Sequence, residues 1–174
     1  RESIAALYPG AGSDNVVETN GSAEANFVAT WSALEEGDEI VVEGCRSERN
    51  SLGDEVRPAK GDRRDLPMLH QWRLNLETGE VRERALDGEW GCEFARINED
   101  FMGVRNRFTY AARIAGDTLE SGFDGIIKYD LVNGTNQHYP YGPDRLGGEP
   151  IFAPRPDGVN EDDGWVIGFV WDAQ

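Results

Sequence analysis

One short phrase occurs twice in this chain. WRLNLETG, from Trp72 to Gly79, returns 55 residues later as IKYDLVNG, from Ile127 to Gly134. The two copies agree in kind: an apolar start, Arg or Lys, Leu or Tyr, Asn or Asp, Leu, and a closing Gly. Alternating residues that run into T-G or N-G predict a strand entering a tight hairpin. A repeat of about 45–55 residues built only of strands is the period of a β-propeller blade with long loops, and fits a propeller better than a sandwich. At that period a chain of 174 residues holds three to four blades, too few to close a common ring. The expected fold is therefore all-β, a partial arc of propeller blades. An open arc exposes blade faces and strand edges, so the isolated segment is expected to behave poorly in solution.

Other stretches follow the same pattern. EEGDEIVV, from Glu35, and EDDGWVIG, from Glu161, are both acidic turns that feed a strand. Residues 16–18, 25–31 and Glu39 to Gly44 read as strands. Arg46 to Asp65 is charged, with Gly, Pro and Ser and no periodicity, and reads as a long loop. Arg1 is no natural start, and Gln174 falls just after an apolar strand. Both ends read as cuts, so residues 1–174 are taken as part of one propeller domain truncated at both sides.

Charge excludes some partners. Thirty-three acids against 17 bases give a net charge of −16. Nucleic-acid binders carry basic patches, so nucleic acid is not an expected partner. Electrostatic docking to an anionic membrane is disfavoured for the same reason. WVIGFVW is too short to cross a bilayer, which excludes a transmembrane segment here but is compatible with peripheral contact. Cys45 and Cys92 lack CxxC spacing and make no disulfide framework; buried free thiols in a reducing, cytoplasmic setting are the expectation. The sequons at Asn20 and Asn133 read as turn residues. His70 and His138 lie in LHQW and NQHYPYG, with no second metal donor at a usual spacing, and read as structural or surface residues.

Three stretches resemble the carotenoid oxygenases, also called carotenoid cleavage oxygenases. GGEPIFAPRPDGVNEDDGWVIGFVWD, Gly147 to Asp172, is the longest match. CEFARIN, Cys92 to Asn98, resembles the family's E-F-P-R-I-N segment. LHQWRLNLETGEVRE, Leu69 to Glu83, resembles its L-x-R-W-x-L-D-x-x-T-G strand pair. The resemblance implies a seven-bladed propeller and a non-haem iron dioxygenase. Such an enzyme cleaves a conjugated C=C bond of a carotenoid, apocarotenoid or stilbene-like phenolic with O2. The family holds Fe(II) with four histidines near the propeller axis. Here the stretch FVATWSALEEGD, Phe27 to Asp38, matches F-H-x-x-N-A-W-E-E-G-D and puts Ala29 at a ligand position and Ser32 at the family's Asn. A methyl group cannot ligate iron, so this segment supplies no matched ligand. Two other ligands would precede Arg1, and the fourth would follow Gln174.

What the resemblance does supply is a pair of glutamates, Glu93 in CEFARIN and Glu149 in GGEPIF. In the family such residues accept hydrogen bonds from the ring N–H of iron-bound histidines, which fixes each imidazole's tautomer and aim. The alternative for either is an ordinary salt-bridged strand glutamate, with Arg96 or Arg155 as partner. Phe94, Phe101, Phe108, Tyr110, Phe123, Phe152 and the tryptophans are candidates to line a tunnel for a linear polyene, against the alternative of core between blades. The functional expectations are thus two: part of a polyene-cleaving dioxygenase, or a metal-free propeller homologue that binds an apolar ligand or a protein.

Overall fold

A computed structural model describes residues 33–36, 39–48, 63, 66–118 and 121–172. The strands expected before residue 33, the ligand position Ala29 and nearly all of the 46–65 loop lie outside them. Two four-stranded antiparallel meanders follow one another along the chain, the second within a six-stranded sheet. The first is β1 (Ala33–Glu36), β2 (Glu39–Arg46), β3 (Met68–Asn75) and β4 (Val81–Ala85), in that spatial order. The second is β5 (Cys92–Arg96), β6 (Phe108–Ile114), β7 (Phe123–Asp130) and β8 (Thr135–Pro140), again each strand beside its successor. A third unit opens with the hairpin β10 (Ile151–Pro154) and β11 (Gly164–Ile167). Short strands β9 (Arg145–Gly147) and β12 (Val170–Asp172) pair with each other, and β9 touches the start of β7. Each of the two meanders is a simple up-and-down blade, as the repeat requires. The described residues therefore hold two whole blades and the opening of a third.

The repeated phrase lands on equivalent hairpins. Asn75 ends β3, and its carboxamide oxygen accepts from the backbone N–H of Thr78 at 2.7 Å. Asp130 ends β7, and its carboxylate accepts from the N–H of Val132 at 3.2 Å and of Asn133 at 3.1 Å. Gly79 N–H then returns to the Asn75 carbonyl at 3.0 Å, and Gly134 N–H to that of Asp130 at 2.8 Å. Both glycines are left-handed, with φ of 72° and 64°. An Asx side chain caps the turn, and a residue with no Cβ closes it without steric cost. The weaker echo also falls on like positions, the first hairpins of the first and third units, β1–β2 and β10–β11.

Burial alternates along β7. Gly125, Ile127 and Tyr129 are buried and their neighbours are not. Ile127 and Tyr129 join Cys92, Ala95 and Ala111 against Cys45 and Leu69 of the first blade, with Leu86, Trp90 and Leu131 packed around them. This is the main core, and it lies between blades. β4 has every residue exposed, and its VRERA sequence fits the outer edge of a blade, where charge discourages edge-to-edge pairing.

Candidate functional site

β5 carries Glu93 and also Arg96, the residue that reaches Glu149. From Glu93 to Arg96 it advances three residues while its partner β6 advances two, from Ala112 to Tyr110. The extra residue makes a bulge, and Phe94 within it has φ of 55°. In a regular strand, residues three apart face opposite sides. Across this bulge they share a side. Cys92 and Ala95 both enter the inter-blade core, and Glu93 and Arg96 both lie on the other face, opposite Ala112 and Tyr110.

That second face looks toward the third unit. Tyr110 stacks on Phe152 of β10, ring centroids 5.1 Å apart. The Arg96 guanidinium bonds the carboxylate of Glu149, which stands just before β10. Pro150, the next residue, is fully buried and anchors the strand entry. Glu93 and Glu149 are thus brought to the same side of the second blade, at the first strands of two successive units. Their surroundings differ. Glu149 is part-exposed and paired with Arg96. Glu93 is half-buried, makes no hydrogen bond or ion pair with the described residues, and burial alone pushes its carboxyl above the usual range. A desolvated carboxylate without a donor is costly, and a hydrogen-bond donor arriving from outside would relieve that cost.

The acid-tipped turn between β10 and β11 proves to be a docking device. Glu161 accepts the backbone N–H of Arg107 at 2.8 Å and of Phe108 at 2.7 Å, and its carbonyl accepts from Asn98 at 2.9 Å. Lys128 Nζ reaches Asp162 at 2.7 Å and sits over the Phe108 ring. Asp163 folds the turn on itself by accepting from the N–H groups of Val159 and Asn160 at 2.9 and 3.0 Å. These contacts fix the third unit against the second, and with it the position of Glu149.

The histidines stand apart from this arrangement. His70, on β3, lies against the Trp72 ring with Nε2 3.4 Å from Glu83. His138, on β8, stacks with Trp90 and has Nδ1 3.2 Å from Arg113. Burial holds both imidazoles below the usual range, hence neutral near pH 7. Among the described residues no three His, Cys, Asp or Glu side chains come together in a way that could hold a metal ion. These residues do not by themselves fit an iron centre. Of the aromatic candidates, Tyr110 and Phe152 are inter-unit core, Phe108 underlies Lys128, and Phe94 packs edge-on against Phe123 at 5.4 Å while staying exposed.

Sequence reasoning missed two features. Glu43 of β2 is a second desolvated carboxylate, its pKa raised by burial; it accepts from Gln71 of the same blade at 2.9 Å and, across the blade boundary, from Thr109 at 3.4 Å. IVVEGC gives it the parity of an ordinary strand residue, so only the tertiary contact reveals it. The β5 bulge was equally hidden, although Glu, Phe, Ala and Arg in succession break a clean polar–apolar alternation.

Comparison with known proteins decides the family. Residues 9–174 match the family profile described as RPE65, retinal pigment epithelial membrane protein. The chain belongs to the RPE65/carotenoid cleavage oxygenase family. It is 37% identical over 160 residues to carotenoid 9,10(9',10')-cleavage dioxygenase 1 of Pisum sativum, covering 81% of this chain and 28% of that protein. It is 33% identical over 145 residues to a carotenoid cleavage oxygenase of Mycobacterium tuberculosis, with the same coverage. Its fold is similar to that of cobalt-substituted ACO from Synechocystis, with TM-score 0.71, 27% identity, 82% of this chain covered and 30% of the other. The chain thus spans under a third of the length of the relatives it matches. Within the RPE65/carotenoid cleavage oxygenase family the all-β, propeller-blade architecture is as the repeat required.

Proposed function

We propose that this chain is part of a non-haem Fe(II) dioxygenase that cleaves a conjugated C=C bond of a carotenoid, apocarotenoid or stilbene-like substrate, giving two carbonyl products. In this reading Glu93 and Glu149 accept hydrogen bonds from imidazoles that the described residues do not supply. Their placement on one side of the second blade, at the first strands of successive units, carries the reading. The ferrous ion supplies O2 activation when bound. The contribution of this chain is orientation: an acceptor fixes the tautomer and aim of a ligand ring. Glu93, desolvated and undonated, is the more demanding of the two. Glu149 already has Arg96 on one carboxylate oxygen, and its other lone pairs can still accept. The substrate would be apolar, nucleic acid is not a partner, and the setting is cytoplasmic.

A second reading rests on Ala29. If that position is a lost ligand, the protein is a metal-free homologue that holds an apolar ligand or a protein partner. One experiment separates the two. Residues 1–174 replace the matching stretch of the pea dioxygenase, and bound iron is measured with and without Ala29→His. About one iron per chain with Ala29 in place, with carbonyl fragments formed from an apocarotenoid, supports the dioxygenase. Retention of the apocarotenoid with no iron until Ala29→His supplies it supports the metal-free reading. Iron indifferent to Ala29→His contradicts the placement of Ala29 among the ligands.

A further inference from the structure

The two cysteines are 47 residues apart in sequence, yet their sulfurs are 3.8 Å apart. Both thiols are free and buried, and both belong to the core cluster between the first and second blades. Their backbones hang on the same short stretch of chain. Cys45 lies opposite Leu69 in the β2–β3 ladder, and the N–H of Cys92 donates to the carbonyl of Pro67 at 2.8 Å. The sulfurs are thus in van der Waals contact and carried by backbone that shares one support, and a shift of under about 2 Å brings them to bonding distance.

We propose that Cys45 and Cys92 form a redox clasp: a two-electron oxidant of the hydroperoxide class joins them in a disulfide that ties the first blade to the second, immediately beside Glu93. One thiolate attacks the peroxide oxygen, giving a sulfenic acid and releasing water or an alcohol. The second thiol displaces the sulfenic oxygen as water. Two thiols lose two protons and two electrons, and one peroxide O–O bond is reduced.

The hydrogen bond shared with Cys92, together with burial, pushes the Cys45 thiol up, so the dithiol is slow to react. The equilibrium position is a separate matter. A fold that holds two sulfurs in contact favours their bond by the same factor by which the bond favours the fold. The bond would close a loop that contains β3 and β4 and would pin the first residue of β5. Glu93 is the next residue, and its charge is felt at Cys45. The state of the clasp therefore sets how freely the Glu93 strand moves. Formation of the bond does not depend on the iron reading.

The test uses the 174-residue chain equilibrated in dithiothreitol redox buffers, once native and once in guanidinium chloride, then quenched with a maleimide mass tag. The native chain is expected to keep the disulfide in a buffer at least tenfold more reducing than the one that opens it in the denatured chain. Peptide mapping without reductant is expected to join the Cys45 and Cys92 peptides. The oxidised chain is expected to melt higher, by on the order of 10 °C. Cys45→Ser and Cys92→Ser chains are expected to show neither the loss of two hydrogen masses nor that rise. A native disulfide no harder to reduce than the denatured one overturns the proposal. So does peroxide treatment that yields only sulfinic acid or bonds between chains. The equilibrium measurement on the unaltered chain stands even if a serine variant fails to fold.

Discussion

At the scale of single residues, the two glutamates answer to different physics. Glu149 is paired with Arg96; Glu93 is half-buried with no donor among the described residues. The Glu93 carboxyl holds its proton more tightly folded than unfolded. Its favourable contribution is complete below its unfolded value near 4.5 and is lost as pH rises through the higher folded value. Glu93→Gln is therefore expected to raise the melting temperature of the chain at pH 7 and to flatten its decline between pH 4.5 and pH 7, read by thermal denaturation at several pH values. A variant that melts lower at pH 7 than the parent would mean that the carboxylate has a partner that the fold does not reveal. Both glutamates stand out in the sequence, in GGEPIF and CEFARIN. Their inequality does not. It depends on which of them Arg96 reaches, and that follows from a bulge and a chain crossing rather than from spacing.

At the scale of elements, the hairpins were the most readable part of the chain. An Asx residue and a glycine four positions on specify a turn that needs no help from distant residues, and both copies of the repeat obey it. Gly134→Ala puts a Cβ on a residue at φ of 64° and is expected to cost about 1 kcal/mol, with urea denaturation as the readout. Gly134→Asn is expected to cost less, because Asn tolerates the left-handed region. The β5 bulge and the docking of the acidic β10–β11 turn were not readable. Glu161 and Asp162 look like a solvated tip in sequence, yet they bond Arg107, Phe108 and Lys128 more than 30 residues away. Charge-to-neutral changes there separate units rather than lower solubility: Glu161→Gln is expected to destabilise the chain by about 1–3 kcal/mol, since it weakens two backbone N–H bonds to a charged acceptor.

At the scale of the whole molecule, the period of the repeat sufficed for the architecture because a blade is a local object, built of neighbours in sequence. What covers its faces is not local. Phe152 of β10 packs inward on Tyr110, while Ile151, Trp165 and Ile167 share the other face and stay exposed, with Phe169 89% exposed nearby. Apolar surface of this kind drives association. The 174-residue chain is expected to self-associate in sedimentation velocity, and the double variant Trp165→Lys, Ile167→Lys to shift it toward monomer. The central claim, that this arc holds two carboxylates as acceptors for metal-bound imidazoles, is tested most directly by iron affinity. In the pea chimera bearing Ala29→His, the dissociation constant for Fe(II) is measured before and after Glu93→Gln and Glu149→Gln. Weakening of about 10–100-fold for each glutamine is the predicted result; iron binding that is unchanged by both substitutions in a folded chimera would contradict the account.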